Sequence, residues 1–439
     1  MAKSSTVYVC SECGTQSPMQ MGRCPRCSSW GTMQAKVESL ILSSASTLGA
    51  AKVTVQNLSE ISQNDLLRVS SGIDEVDRVL GGGWVAGSVL LMAGEPGIGK
   101  STLLLQLAHE ASKAQRSVLY VAGEESLSQV KMRAERLGVV ASLQLTRETD
   151  ARVLSDYLRL HAPDLIIVDS IQTLTADDGG IPGSLTQVRD STALLTAATK
   201  DIESTLVLIG HVTKEGSIAG PKMIEHMVDA TFSLETASGF RVLRSIKNRF
   251  GPAGEMGVFE MSGDGMRPVA NPSEAFLAER PKGVPGSVVV AALEGQRPLL
   301  LEVQALAAKS PYASPRRIVQ GLDQRRVDVV LAVLERRLEL PLAGLDVYVN
   351  VAGGLRLTDP GTDLAVAVAV YSAVTNKAVP ETAAVVGEVG LAGEIRSVVQ
   401  LARRAAEAKR SGYHHLIAPV SDGEGVRSLA EALKQVWKA

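Results

Sequence analysis

The chain has 439 residues, enough for about three domains at ~150 residues each. Its 45 Lys and Arg nearly balance 47 Asp and Glu, a formal net charge of −2. That gives no global pull towards nucleic acid, so any DNA or RNA site has to be a local basic patch or a lined channel. No apolar run approaches the ~18 residues needed to cross a bilayer. The start, Met1-Ala2-Lys3-Ser4-Ser5-Thr6, carries no apolar signal core. A cytoplasmic protein without membrane association is expected.

All four cysteines fall near the start: Cys10, Cys13, Cys24 and Cys27, two C-x-x-C pairs separated by ten residues. Two such pairs can place four thiolates around a tetrahedral Zn²⁺, each pair turning both sulfurs inward. Gly14, Gly22 and Pro25 supply turn chemistry. Two disulfides would be unusual in a cytosolic chain, and a redox pair would be single and followed by a helix. With all four ligands from protein, the metal keeps no open position and its role is to fold a small module. A C4 zinc ribbon over residues 1–34 is expected. A Ser/Thr/Ala-rich linker follows over 35–63.

Residues 64–271 read as an α/β domain. The apolar run Val89–Ala93 reads as a buried strand, and Thr102–Ala108 as a helix. Between them, Gly94-Glu95-Pro96-Gly97-Ile98-Gly99-Lys100-Ser101 fits the P-loop pattern G-x-x-x-x-G-K-[ST]. Such a loop turns backbone N–H groups towards phosphate beside a helix N-terminus. Lys100 reaches the β- and γ-phosphates, Ser101 ligates Mg²⁺, and Thr102 follows at the helix start. An ATP site is expected. Further short apolar strands end at Gly123-Glu124-Glu125-Ser126, at Asp169-Ser170 and at Gly210-His211, as in a parallel sheet covered on both faces.

Hydrolysis of a triphosphate needs a phosphate cradle, a Mg²⁺ partner, a water-positioning carboxylate and a positive charge for the transition state. Asp169 closes its strand like a Walker B acid. Glu124 is read as the base with Glu125 as its helper, although acids opening a helix also suit the helix dipole. Lys247 and Arg249, in Lys247-Asn248-Arg249-Phe250-Gly251, stand two apart and could share one strand face. Such a finger would serve a neighbouring subunit; a solvated basic strand end is the plainer reading.

A different texture begins near Pro272. Val288–Gly295 and Leu299–Ala305 look like strands paired around a turn, Asp346–Val351 like another strand, and Thr362–Val374 and Leu401–Lys409 like helices. Residues 272–439 are expected to form a separate α+β domain.

These motifs together resemble the bacterial RadA (Sms) family of RecA-like recombination and repair ATPases. The resemblance runs nearly the whole length: the cysteine pairs, the P-loop, Gly123–Ser126, Asp169, Gly210-His211-Val212-Thr213-Lys214-Glu215-Gly216, Lys247–Gly251, and a terminal domain similar to that of Lon protease. It implies an α/β RecA-like P-loop core between a zinc ribbon and an α+β Lon-like domain. It further implies a hexameric ring that uses ATP and Mg²⁺ to act on single-stranded and branched DNA, driving branch migration with the RecA recombinase. The loop beginning at His211 would sense nucleotide at its root and touch DNA, with His211, Lys214 and Lys222 as its DNA-binding candidates, unless it is an ordinary solvated loop. Lon-type peptidases use a Ser–Lys dyad. The matching stretch here, Asp359-Pro360-Gly361-Thr362-Asp363-Leu364, has no serine, and the lysine position falls near Ala402, so peptidase activity is not expected. Arg316-Arg317, Arg325-Arg326 and Arg336-Arg337 could line a DNA surface, or equally be solvated faces balanced by Glu335 and Glu339. A regulatory switch like the circadian-clock KaiC ATPases, which share the Gly-Glu-Glu-Ser arrangement, is the alternative reading.

Overall fold

The computed structural model describes residues 6–17, 19–37, 68–139, 143–177, 180–211, 222–421 and 423–438. The expected linker lies outside them from residue 38 on, and so does Lys214; nothing is described of the Lys222 side chain. The chain divides into two compact units. Gly82–Phe232 and Lys247–Phe250 belong to the first with the chain before Asp74; Asp74–Gly81, Ser233–Ile246 and Gly251–Ala439 make the second.

In the first unit, the cysteine region forms a three-stranded antiparallel sheet in the order Gln16–Ser17, Thr6–Cys10, Met33–Val37. The larger part is a parallel sheet. Its strands run in the order Val89–Gly94, Thr205–His211, Leu165–Asp169, Val118–Ala122, Gln144–Thr146. Val89–Gly94, Leu165–Asp169 and Val118–Ala122 are buried at every position because helices cover both faces. Helices Lys100–Lys113, Leu127–Arg136, Ala151–His161 and Leu185–Asp201 connect them. A core including Leu91, Leu119, Ile166, Leu195 and Leu208 fills one side of the sheet. Register decides what meets at the carboxyl edge. His211 stands opposite Gly94, and Ala122 opposite Asp169, so the ends carrying the P-loop, His211, Asp169 and Glu124 form one row. Open α/β sheets bind ligands at that edge.

The second unit contains a six-stranded mixed sheet in the order Arg317–Gln320, Leu345–Val351, Arg297–Lys309, Ser287–Glu294, Ala383–Val385, His415–Ile417. The central pair is the expected antiparallel hairpin. Alternate residues of Ser287–Glu294 serve two cores: Val288 and Val290 lie with helices Gln324–Leu338 and Asp363–Thr375, while Val289 and Ala291 lie with Ala408 of Leu401–Arg410. Arg404 of that last helix is fully buried. Its guanidinium pairs with Asp359 and donates to the Ala291 carbonyl (2.8 Å) and the Val399 carbonyl (3.0 Å). A buried arginine is tolerated where its donors are taken up in this way.

Candidate nucleotide and metal sites

The cysteine pairs converge. The four sulfurs lie within 4.8 Å of one another, with Cys10–Cys27 at 3.6 Å and Cys13–Cys24 at 3.4 Å, and none is in a disulfide. A tetrahedron of Zn–S bonds has sulfur–sulfur edges of about 3.8 Å, so the cluster fits zinc closely. The two knuckles are twins. Gly14 N donates to Cys10 O and Ser28 N to Cys24 O, each at 3.0 Å, with Gly14 at φ 69° and Ser28 at φ 63°. Cys10 N and Cys24 N each donate at 2.9 Å to the residue five further on, Thr15 and Ser29.

The P-loop wraps between the strand Val89–Gly94 and the helix Lys100–Lys113. Gly99 caps that helix at φ 115°, a conformation that a side chain would strain. Lys100 is buried, and its Nζ donates to Gly94 O (2.8 Å) and Glu95 O (2.9 Å) and faces His211 Nδ1 at 3.3 Å. Burial lowers its pKa, partly offset by the negative charges of Asp169 and Glu124. The ammonium is thus held in place by weak carbonyl partners, which a phosphate oxygen outbids as a charged acceptor.

A hydrogen-bonded chain extends from this lysine across the strand ends. His211 Nε2 lies 2.9 Å from Glu124 Oε1, the same oxygen that accepts from Ser170 Oγ. His211 is the main cause holding the Glu124 carboxyl down to about 2, with Ser170 and Lys100 adding to it against the cost of burial. Gly123 makes this approach possible. Its N donates to Asp169 O at 2.7 Å, and a Cβ there would sit 1.9 Å from Thr173 Oγ1. Asp169 is buried, and its Oδ2 accepts from Tyr120 Oη at 2.7 Å. Burial, then the charge of Asp169, pushes the Tyr120 phenol well above its usual range, so it stays a donor. Asp169 therefore has one oxygen fixed by protein, an arrangement suited to holding Mg²⁺ through the other.

Glu125 points elsewhere, into an ion pair with Arg133 of the helix Leu127–Arg136. Among the described residues, Glu125 Oε2 and Arg133 Nη1 have no hydrogen-bond partner although both atoms are buried. Lys247 and Arg249 stand apart from this row. Lys247 Nζ donates to Glu225 O and to Val228 O (2.7 Å), and Arg249 Nη1 pairs with Asp229 Oδ1 at 3.1 Å. Burial and then Arg249 lower the Lys247 pKa. Asp229 Oδ2 accepts from Val89 N at 3.1 Å, so the group sits at the start of the strand whose far end carries the P-loop. Sequence reading missed Tyr120, Ser170 and Asp229. Tyr120 occupies an apolar strand like any core aromatic, and only the register against Asp169 gives it a task.

In the second unit, Thr362 is buried and its Oγ1 donates to Asp359 O at 2.7 Å, while Ala402 has no ionisable group to act on it. Arg316 lies over the Tyr312 ring at 4.4 Å. Arg317 is held by the carbonyls of Leu342 (3.3 Å) and Leu345, and Arg326 pairs with Asp363.

Family models match three stretches: KaiC ATPase over residues 69–144, a rubredoxin metal binding domain over 8–35, and subunit ChlI of Mg-chelatase over 321–422. The chain is 42% identical over 456 residues to the DNA repair protein RadA of Bacillus subtilis, covering 99% of each. It is 44% identical to that of Halalkalibacterium halodurans over 95% of this chain and 93% of the relative. The same identity holds for that of Mycobacterium tuberculosis, over 96% and 89%. No helix among the described residues is long and apolar enough to cross a membrane. Likeness of this extent over both full lengths places the chain in the RadA family, as a RecA-like P-loop ATPase with an N-terminal zinc-ribbon fold and a Lon-like C-terminal fold.

Proposed function

We propose that this chain is a DNA-dependent ATPase and helicase motor of the cytoplasm, acting as a hexameric ring on single-stranded and branched DNA and promoting branch migration with the RecA recombinase. One observation carries the catalytic part: Lys100, His211, Glu124 and Ser170 form a continuous hydrogen-bonded chain beside Asp169 along the carboxyl edge of the sheet. Gly94, Glu95, Pro96, Gly97, Ile98, Gly99, Lys100, Ser101 and Thr102 hold the triphosphate, and Ser101 and Asp169 hold Mg²⁺. Mg²⁺ held there would neutralise phosphate charge and help align the phosphoryl group.

Glu124 orients the attacking water. At a pKa near 2 it is a weak base, so its contribution is a fixed hydrogen-bond acceptor rather than early proton removal. That suits phosphoryl transfer, which depends on positioning more than on strong bases. Glu125 supports it indirectly by fixing the segment to Arg133. Lys247 and Arg249 lie roughly 16 Å of strand from their own P-loop, counting five residues at ~3.3 Å. They therefore serve a neighbour's nucleotide, which is the reason for a ring. His211 immediately precedes in sequence the segment carrying Lys214, so DNA contact by that segment, with Lys222, can act on Glu124. Arg316 and Arg317 offer further phosphate contacts, Arg316 more freely than Arg317. Residues 1–34 are the zinc ribbon, 35–63 the linker, 64–271 the ATPase and 272–439 a Lon-like domain without peptidase activity.

A forked-DNA strand-separation assay tests this reading. It predicts ATP-dependent unwinding that is lost in Lys100→Ala. Turnover of ATP without unwinding or branch movement on any forked or three-stranded substrate would refute the motor.

A further inference from the structure

Asp229 does more than pair with Arg249. Its carboxylate is buried, and it closes two separate hydrogen-bonded rings. In one, Asp229 N donates to Val89 O at 2.8 Å while Asp229 Oδ2 accepts from Val89 N at 3.1 Å. In the other, Asp229 O accepts from Arg249 N at 3.1 Å while Oδ1 accepts from Arg249 Nη1 at 3.1 Å. One residue thus joins, through both backbone and side chain, the first residue of the P-loop strand and the arginine of the finger. Lys200 Nζ approaches the same Oδ1 at 3.8 Å from the helix Leu185–Asp201. Arg249 remains half exposed, so its guanidinium is aimed rather than enclosed.

We infer that Asp229 is a positioning residue that aims the Arg249 guanidinium and ties it to the P-loop strand of its own subunit, so that each finger is set by its own chain's nucleotide site. This rests on the proposed service of Arg249 to a neighbouring nucleotide. The strand Val89–Gly94 is buried at every position and sits in a parallel ladder. It behaves as a stiff element, so a shift at Gly94 is passed to Val89 and from there to Asp229. A misplacement of about 1 Å at a catalytic group can cost on the order of 10²-fold in rate. The aim of an arginine finger is therefore worth fixing at both backbone and side chain.

The test is Asp229→Asn in the full-length protein. The asparagine carbonyl can still accept from Val89 N, but its amide faces the guanidinium as a donor and cannot hold it. We expect kcat for ATP in the presence of single-stranded DNA to fall ~10-fold or more, with affinity for a fluorescent ATP analogue within about 2-fold of the parent. Combined with Arg249→Ala, the loss should be no larger than with Arg249→Ala alone, because both remove one interaction. Unchanged kcat in Asp229→Asn, or losses that multiply in the double variant, would overturn the inference while leaving the finger reading intact. Unchanged kcat in Arg249→Ala would overturn the finger reading and this inference with it. Should Asp229→Asn lose analogue binding, and so its fold, Asp229→Glu keeps the charge and displaces the guanidinium by about one methylene. It should show the same drop in kcat with affinity retained, and a parental kcat there would overturn the inference.

Discussion

Tyr120→Phe isolates one contact at the heart of the site. The substitution removes a single hydroxyl from a fully buried side chain, 2.7 Å from Asp169 Oδ2, and leaves the ring and its packing in place. A hydrogen bond to a charged group contributes about 1.5–3 kcal/mol net, and the carboxylate oxygen it leaves behind is itself buried. A loss of about 2 kcal/mol in a cooperative unit of ~150–250 residues lowers its melting temperature by about 4–8 °C. The chain has more than one folding unit, so the transition to follow is the one that an ATP analogue with Mg²⁺ shifts upward. Asp169 also gains rotational freedom once its donor is gone. The Mg²⁺ concentration for half-maximal turnover should rise several-fold, while the KM for ATP at saturating Mg²⁺ stays near the parental value. A melting temperature within about 1 °C of the parent, together with an unchanged Mg²⁺ dependence, would refute the assigned role.

Other outcomes follow from the same geometry. Glu124→Gln should retain nucleotide binding and lose turnover. Glu124 titrates near 2 in the folded chain against roughly 4.3 unfolded, so its contribution to stability is present above about pH 4.3 and lost as pH falls towards 2. Urea unfolding at stepped pH should therefore find the deficit of Glu124→Gln constant from neutrality to about pH 4.3 and shrinking below it. Metal analysis should find a single zinc ion per chain, released with exposure of reactive thiols when Cys10 or Cys24 becomes serine. Arg404→Met should destabilise the second unit by about 3–5 kcal/mol, because Asp359 is left as an unpaired buried charge, and adding Asp359→Leu should recover much of the loss in a denaturant titration.

The parts of the site legible in the sequence were those built from neighbours in the chain. The P-loop and the two cysteine pairs specify their own local turns, and the apolar runs ending in Asp169 and at Gly123-Glu124 declare buried strands. What the sequence withheld depends on pairing between distant segments. Parallel register brings Tyr120 to Asp169 and His211 to Gly94, across separations that no local pattern encodes. The two adjacent glutamates are alike in sequence, yet Glu124 turns to His211 and Glu125 to Arg133. Asp229 is invisible for the same reason, since Val89 lies 140 residues before it. Arg317 is an instructive case: read as part of a DNA surface or a solvated face, it has its guanidinium engaged by three carbonyls, those of Arg316, Leu342 and Leu345.

The most direct measurement of the central claim is steady-state ATP turnover titrated with single-stranded DNA at two salt concentrations, in the parent and in Lys100→Ala. The account predicts that DNA raises turnover, that the midpoint moves to higher DNA concentration as salt increases, and that Lys100→Ala stays silent throughout. Turnover that is unaffected by DNA across the titration, or that persists in Lys100→Ala, would contradict it.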